Sequence, residues 1–297
     1  MPLVHSPRYQ DIAQTMRFVD EIVFESPVAR MGRFRCGVSD SRFRDTGPIQ
    51  NWLVAFPRTA VKIQHAGSRE FVADPTISTI YNCGQEYTRA PLSSDGDRSE
   101  WFAVAPHVAT EIASRFDPRA ADRPDRPYTH QFAPVDATLY LAQRTLYSRI
   151  ARGAVDTLEA EEAIIGLVSA VLRRAYEQRP ASQSSRASDA HRDLVQRTRT
   201  LLLNSLGEKI TLPSLAKSLG ASEFHLCRVF HEWTGMTLHG FRTEVRLRRG
   251  LEMLGDSPTD LSRIALDLGF SSHSHFSDAV RRQFGHPPSA IRKFLTS

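Results

Sequence analysis

The stretch IALDLGFSSHSHFSDAVRRQFGHPPSAIRK, residues 264–293, decides the fold of the C-terminal part of the chain. Its histidines, serines and arginines raise the question of a metal site or a catalytic cluster. Apolar residues nevertheless recur at helical spacing on both sides of Gly269, and Ser272 stands where a helix N-cap is expected. The pattern therefore predicts a helix, a glycine turn and a second, capped helix that ends at Gly285.

The same pattern occurs a second time about fifty residues upstream. Residues 211–242 (TLPSLAKSLGASEFHLCRVFHEWTGMTLHGFR) align with residues 260–292, so that Gly220 matches Gly269 and Ser222 matches Ser272. Each copy predicts a helix-turn-helix, whose second helix enters the major groove of DNA. The expected apolar positions are Leu212, Leu215, Ala216, Leu219, Leu226, Val229, Phe230 and Trp233 in the first copy, and Leu261, Ile264, Ala265, Leu268, Phe276, Val280 and Phe284 in the second.

Residues 239–254 (HGFRTEVRLRRGLEML) predict a helix that links the two copies. At ~1.5 Å per residue its length is ~24 Å. With the widths of the flanking units added, it suits two recognition helices one DNA turn, ~34 Å, apart. Arg242, Arg246, Arg248 and Arg249 are candidates for phosphate contacts, and Arg246 and Arg249 are the two that we select.

The excess of positive over negative charge lies in this C-terminal part of the chain. Residues 190–297 hold 15 Lys and Arg against 10 Asp and Glu, whereas residues 1–189 are balanced, so the whole net charge of +5 lies in one domain. A basic domain next to a neutral one is typical of nucleic-acid binding. The sequence has no run of about 18 apolar residues and no signal-peptide pattern, which favours a cytoplasmic protein without membrane contact.

The N-terminal part predicts a β-rich domain followed by two helices. Short β-branched or aromatic runs broken by Pro, Gly or Asp are typical of a small antiparallel barrel or sandwich. Two helices are expected within residues 136–178, with the first ending at Arg152-Gly153 and the second beginning at Asp156 with Leu158 on its apolar face. That face belongs either to the core or to a dimer interface. The expected strands lie within 51–57, 60–67, 70–74, 76–87 and 100–106.

Metal and cofactor binding are not expected. His65 and His107 lack the His-x-His spacing of a metal-binding barrel, and we interpret both as partly exposed polar residues. The three cysteines, Cys36, Cys83 and Cys227, are dispersed, which argues against a disulfide framework or a zinc site. Catalysis by the Ser/His cluster is disfavoured because successive helical residues point about 100° apart, and His273 and His275 do not share a helical face.

The paired pattern resembles the double helix-turn-helix domain of AraC/XylS-type transcriptional regulators, from about residue 192 to 294. The segment 56–89 also resembles the cupin-like sensor domain of that family. The resemblance implies an α+β protein: a cupin-like β-barrel with a helical pair at 1–178, a linker at 179–190, and an all-α domain of two helix-turn-helix units with a linking helix at 191–297. It further implies a homodimer, a small-molecule effector, double-stranded promoter DNA as partner, and a possible contact with RNA polymerase.

The residues expected at the DNA lie at the start and on the outer face of each recognition helix. By resemblance, the base-contacting positions of the first are Phe224, Cys227 and Arg228, and those of the second are Ser274, His275 and Asp278. Asp278 departs from the family pattern, in which many members have Arg, so phosphate positioning is expected of the second helix. The full expected set is Ser222, Phe224, Cys227, Arg228, His231, Ser272, His273, Ser274, His275, Asp278, Arg281 and Arg282.

The sequence thus predicts a sequence-specific DNA-binding transcriptional regulator that is not an enzyme and that responds to a small molecule. The alternative is a regulator that needs no effector, or one that senses redox state through Cys36 or Cys83. Both cysteines lie in strand-like segments, where an inert buried thiol is the more common case.

Overall fold

The computed structural model describes residues 17–177, 186–256 and 260–296. The chain divides into two compact units, Met1–Gln178 and Arg179–Ser297. No helix in the described ranges combines the length and the apolar character that crossing a membrane would require.

The N-terminal unit contains two antiparallel sheets. The larger sheet has six strands in the order β1-β2-β8-β3-β6-β9, and the smaller has three in the order β5-β4-β7. The strands are β1 (Val19–Glu25), β2 (Ala29–Cys36), β3 (Trp52–Pro57), β4 (Val61–His65), β5 (Phe71–Ala73), β6 (Ile77–Tyr81), β7 (Tyr87–Pro91), β8 (Asp97–Val104) and β9 (Phe132–Pro134).

A shared core joins the two sheets. Buried side chains of both form one apolar cluster that includes Phe34, Leu53, Ile63, Phe71 and Trp101. Because the strands pair within two separate sheets, the expected closed barrel is not confirmed, and the domain is described as a sheet domain with its core between the sheets.

The predicted strands agree with the structure where Pro, Gly or Asp residues mark the end of an apolar segment. The segments 51–57 and 60–67 contain β3 and β4. The run 76–87 contains β6 and only the first residue of β7, because Gly84, with φ of +74°, makes a turn inside it. None of the expected segments contains β1, whose register shifts between Ile22 and Phe24, or β2, or the three-residue β9. A bulge breaks the alternation by which a strand is recognised in sequence.

The helices of this unit are α1 (Pro106–Ser114), α2 (Ala137–Ala151) and α3 (Thr157–Glu177), with a 3₁₀ turn at Pro118–Asp122. The expected starts are confirmed, since Asp136 accepts a hydrogen bond from the Leu139 amide and Asp156 from that of Glu159. α3 packs on β2, β3, β8 and β9, so its apolar face is core. Leu158 does not belong to that face: it is 73% exposed in the first turn, because the side chains that face the sheet begin at Ala160.

The C-terminal unit is entirely helical in its described residues. Its helices are α4 (Arg186–Asn204), α5 (Leu212–Leu219), α6 (Glu223–Thr234), α7 (Leu238–Asp256), α8 (Leu261–Asp267), α9 (His273–Phe284) and α10 (Pro288–Thr296). The expected linker, 179–190, overlaps α4 from Arg186 onward, and its residues 179–185 lie outside the described part. Polar residues suit the first turn of α4, where Asp189 faces the positive end of the helix dipole.

The linking helix α7 belongs to two apolar cores at once. Its N-terminal half places Phe241 and Val245 in the core of the first helix-turn-helix. Its C-terminal half contacts α8, α9 and α10. Gly250 lies there against the Phe276 ring, where a Cβ would come within 2.9 Å of ring carbons. The glycine thus leaves room for the large side chain that the second unit uses where the first has Leu226.

Candidate nucleic-acid interface

Local backbone signals build the two helix-turn-helix units as expected. The Ser222 hydroxyl accepts a hydrogen bond from the His225 amide at 3.3 Å, and the Ser272 hydroxyl accepts one from the His275 amide at 3.1 Å. Both turn glycines have positive φ, +67° at Gly220 and +74° at Gly269. Gly235 and Gly285 end the recognition helices in the left-handed conformation. These contacts fix where α6 and α9 begin and end, and therefore which side chains point outward.

The outer face of α6 carries four of the expected side chains. Phe224, Cys227, Arg228 and His231 recur at helical spacing and are all exposed, opposite the buried Leu226, Val229 and Phe230. Phe224 is 78% exposed, so its ring lies on the surface of the domain. This apolar ring is therefore exposed at the start of α6, where it is accessible to a binding partner.

Arg228 provides the positive charge of this face and forms an ion pair with Glu232 of the same helix. Its Nη1 donates to both carboxylate oxygens of Glu232 at 2.9 Å, and its Nη2 lies 3.4 Å from Nδ1 of His225. Both partners of the ion pair are 41–50% exposed by side chain, so water screens it. Such an exposed i,i+4 pair is worth only ~0.3–0.5 kcal/mol, so the guanidinium can leave it for a guanine.

The outer face of α9 has a different composition. Ser272 corresponds to Ser222 as N-cap, and counting from the caps makes Ser274, Ser277, Asp278 and Arg281 the counterparts of the four α6 residues. Ser274, Asp278 and Arg281 are exposed, as is Arg282. By this count the position that corresponds to Cys227 is Ser277 and not His275, and His275 stays a prediction as a DNA contact.

The two histidines of α9 lie on different sides of the helix. Nδ1 of His275 is 3.0 Å from the Ser271 hydroxyl and its ring packs edge-on against Phe270, whereas Nε2 of His273 is 3.4 Å from the Ser277 hydroxyl. They therefore do not converge on one ion or one substrate. Over the described ranges, no three His, Cys, Asp or Glu side chains form a group that could hold a metal.

The arginines of α7 are largely engaged within the protein. Arg242 donates to the Ser205 and Glu208 carbonyls, and Nε of Arg246 donates to the Leu206 carbonyl at 2.7 Å. Burial lowers the pKa of Arg246 to about 10. These bonds satisfy carbonyls of the turn that follows α4, within residues 205–208. Arg246 and Arg249, both half-buried, remain predictions as phosphate contacts.

Arg248 is wrong as a phosphate candidate. It is fully buried and its guanidinium is paired with Glu244, one helical turn away. Glu244 also accepts a hydrogen bond from Gln283 of α9. The Glu-Arg i,i+4 spacing in TEVRLR was the available signal, because a buried guanidinium requires a carboxylate within reach.

His65 also differs from expectation, whereas His107 is exposed as expected. His65 is buried between the rings of Phe71 and Tyr81, its Nε2 has no hydrogen-bond partner in the described structure, and burial lowers its pKa to about 4. It is therefore a neutral core residue. Its position at the end of β4, opposite Tyr87, could not be inferred from a single histidine in sequence.

The three cysteines are free thiols in different environments. Cys36 is buried, and burial raises the pKa of its thiol, which disfavours the reactive thiolate. Cys83 is half-buried in a turn instead of a strand, with its Sγ 3.2 Å from the Gln50 carbonyl oxygen. Cys227 is exposed on α6.

A family model described as a helix-turn-helix domain matches residues 215–293, from α5 into α10, and so spans both units. The chain therefore contains a helix-turn-helix domain, and over this region it is similar to HTH-type transcriptional regulators. The HTH-type transcriptional regulator GlxA of Rhizobium meliloti is 38% identical over 80 residues, which is 27% of this chain and 25% of that protein.

Two solved structures align with the chain over different extents. An AraC-type transcriptional regulator from Chromobacterium violaceum is 27% identical over 34% of this chain and 90% of its own, with a TM-score of 0.33. ToxT from Vibrio cholerae O395 is 12% identical over 91% of this chain and 98% of its own, with a TM-score of 0.36. For three of the curated relatives that it matches, the chain spans between a quarter and about half of their length.

Proposed function

We propose that the protein is a sequence-specific DNA-binding transcriptional regulator of the AraC/XylS type. The observation that supports this most directly is the outer face of α6, where Phe224, Cys227, Arg228 and His231 are exposed together on a capped helix. No catalytic function is needed to account for them. DNA binding explains why the whole net charge of the chain lies in this unit.

The two recognition helices have different roles in this proposal. α6 contains one Arg against two Glu and contacts bases through Phe224 and Arg228, whereas α9 contains Arg281 and Arg282 against Asp278 and positions the duplex through phosphates. Ser274 and Ser277 add hydrogen bonds to bases or backbone. Binding is steeply dependent on salt because phosphate contacts release counterions.

The N-terminal sheet domain supplies regulation in this proposal. Its shared core encloses a cavity between the sheets, which suits a small-molecule effector. The protein acts in the cytoplasm, where its promoter DNA is, as a homodimer that presents two double helix-turn-helix units. A contact with RNA polymerase would make it an activator.

The test is an in vitro selection of bound duplexes from a random library with the full-length protein, followed by Kd measurements on the selected and a scrambled duplex. Arg228→Ala is expected to remove ~1–3 kcal/mol of discrimination between the two. Arg173→Ala is the matched control, since Arg173 also forms an exposed i,i+4 ion pair, with Glu177 of α3, but lies outside the DNA-binding unit.

Two results would count against the proposal. Equal loss of affinity for both duplexes in Arg228→Ala would make Arg228 a phosphate contact instead of a specificity residue. Failure of the wild-type protein to bind any duplex at low salt would reject DNA binding altogether.

A further inference from the structure

The sheet domain contains a cavity of about 200 Å³ between its two sheets and the segment 46–51. This is smaller than the ~300–1,000 Å³ of sites for drug-sized ligands, so its occupant is a small molecule. Aromatic rings supply much of its wall: Phe18, Phe34, Tyr81, Tyr87 and Trp101.

The charged groups of the cavity are carboxylates. Asp20 and Asp97 line it, and none of its described lining residues is Lys, Arg or His. Asp97 is buried and paired with Arg89 at 2.5 Å. Asp20 is on the edge strand β1 and has no ion pair within the described part of the chain; its carboxylate accepts a hydrogen bond from Nε1 of Trp101 at 3.3 Å. A carboxylate of this kind would exclude an anionic ligand and attract a cation.

The indole of Trp101 on β8 extends across β2 and reaches Asp20 on β1. Gly32 of β2 pairs with Trp101 of β8, and a Cβ on Gly32 would overlap Cζ2 of the indole. Only glycine leaves room for the ring to cross β2 and hold the Asp20 side chain on β1. The aromatic wall and the acid are thus one built arrangement.

The rings of this wall already bind cations on the protein side. The Arg42 guanidinium carbon lies 3.7 Å from the centroid of Phe18, and that of Arg89 lies 4.5 Å from the centroid of Phe34. Both guanidiniums are neutralised, Arg42 by Asp40 and Arg89 by Asp97. Neither forms an ion pair with Asp20, whose charge remains available to a ligand.

Desolvation acts on Asp20 although the residue as a whole is exposed. Partial burial of its carboxyl raises its pKa, and the hydrogen bond from Trp101 and the charge of Arg89 offset this only in part. An ammonium group next to the carboxylate would favour the ionised form again.

We propose that this cavity binds a small organic cation, an amine with an aromatic or apolar body, whose ammonium group contacts Asp20 and whose body packs against Trp101 and Tyr87. Cation–π attraction to the rings adds to the charge-assisted hydrogen bond. The regulatory meaning of this site rests on the proposed function, but the binding itself does not.

The experiment is isothermal titration calorimetry on the full-length protein, without DNA, with three probes that share one ring. 2-Phenylethylamine is expected to bind most tightly, 2-phenylethanol ~10-fold more weakly because it lacks the charge, and 3-phenylpropionate least. An equal affinity for amine and alcohol, preference for the carboxylate, or no binding by any probe would overturn the proposal.

Asp20→Asn keeps the shape of the side chain and removes its charge. It is expected to reduce the amine affinity to about that of the alcohol, with little change for the alcohol itself. Glu21→Gln is the matched control, since Glu21 is the next residue on β1 and pairs with Arg33 on the other side of the strand. An unchanged amine affinity in Asp20→Asn would reject Asp20 as the ligand contact.

The wild-type ranking of the probes tests the proposal even if a variant is unstable. DNA binding is measured separately on the same preparation. If the wild-type protein binds DNA but does not prefer 2-phenylethylamine to 2-phenylethanol, this inference alone is rejected. If it binds the amine but has no affinity for duplex DNA, the proposed function alone is rejected.

Discussion

The two helix-turn-helix units share their backbone signals and differ in the side chains that they present. Both begin the recognition helix at a serine cap and end it at a left-handed glycine. The outer face of α6 has Phe224, Cys227 and Arg228, whereas the same positions of α9 have Ser274, Ser277 and Asp278. A repeat keeps the residues that define its geometry, and its exposed positions are free to diverge because they do not affect folding.

The units also differ in how they meet α7. The first core takes Phe241 and Val245 from it, and the second packs Phe276 on Gly250. Arg246 of α7 also lies close to the turn of the second unit, where its Nη2 would be 2.8 Å from a Cβ on Gly269. The two units therefore use different parts of α7, with side chains filling the first core and a glycine making room in the second.

The largest expected effect is the loss of folding stability when a core side chain of either helix-turn-helix unit is truncated. Leu226→Ala should cost ~2–5 kcal/mol and Phe276→Ala ~3–5 kcal/mol, since both side chains are fully buried and truncation leaves a cavity. Urea unfolding of the full-length protein, followed by far-UV circular dichroism, measures both. Because Gly250 provides no side chain to fill the space, a smaller loss in Phe276→Ala than in Leu226→Ala would contradict the close packing of the second unit.

Asp278→Arg would make the second recognition helix more like the first. The exposed position should gain a phosphate or guanine contact, raising affinity for the selected duplex by ~1–3 kcal/mol and increasing the salt slope by about 1. Fluorescence anisotropy at several salt concentrations measures both quantities. Asp193→Arg on α4, outside the recognition helices, is the control for a general gain of charge. A similar gain in the control would mean that the position of Asp278 relative to DNA is not special.

The two turn glycines, Gly220 and Gly269, have different surroundings, and their substitution tests whether Arg246 constrains the turn of the second unit. Gly220→Ala should cost ~1 kcal/mol, because a left-handed backbone is strained for alanine and nothing lies within 4 Å of the new methyl group. Gly269→Ala should cost more, because its methyl group would also displace Arg246 from the Leu206 carbonyl. Thermal unfolding compares them, and equal shifts in Tm would show that Arg246 adds no constraint there.

The smallest expected effects are at the caps, where the units are most alike. Ser222→Ala and Ser272→Ala should each cost ~1 kcal/mol, because each leaves one helix-end amide without its acceptor. Chemical denaturation resolves a change of this size. Ser222→Asp and Ser272→Asp should retain the stability, since aspartate also accepts this hydrogen bond, and a loss there equal to that of alanine would exclude capping as the cause.

The paired units were predictable because each depends on residues close together in sequence. Ser222, Gly220 and Gly235 act through turns of a few residues, so their roles follow from spacing alone. The burial of Arg248 was not predictable in this way. An arginine in a basic helix is usually solvated, and its burial here depends on Glu244, which is also held by Gln283 of a different helix.

The sheet domain was harder to predict because its contacts are distant in sequence. β2 pairs with β8, although the whole of β3 to β7 lies between them in the chain, and the burial of His65 follows from packing against Phe71 and Tyr81. Propensity indicates that a strand exists but not which neighbour it takes. The cavity likewise depends on Gly32, whose role is visible only once Trp101 lies across it.

The linking helix α7 determines both the relative rotation of the two helix-turn-helix units and the distance between them. Adding one residue between Val245 and Leu251 would rotate everything beyond it by ~100° and advance it by ~1.5 Å, whereas one base pair turns DNA by ~35°. In the proposed complex, insertion of one residue would therefore take one recognition helix out of phase with its groove. The separation of the two contacted DNA segments would follow from the length and the periodicity of α7.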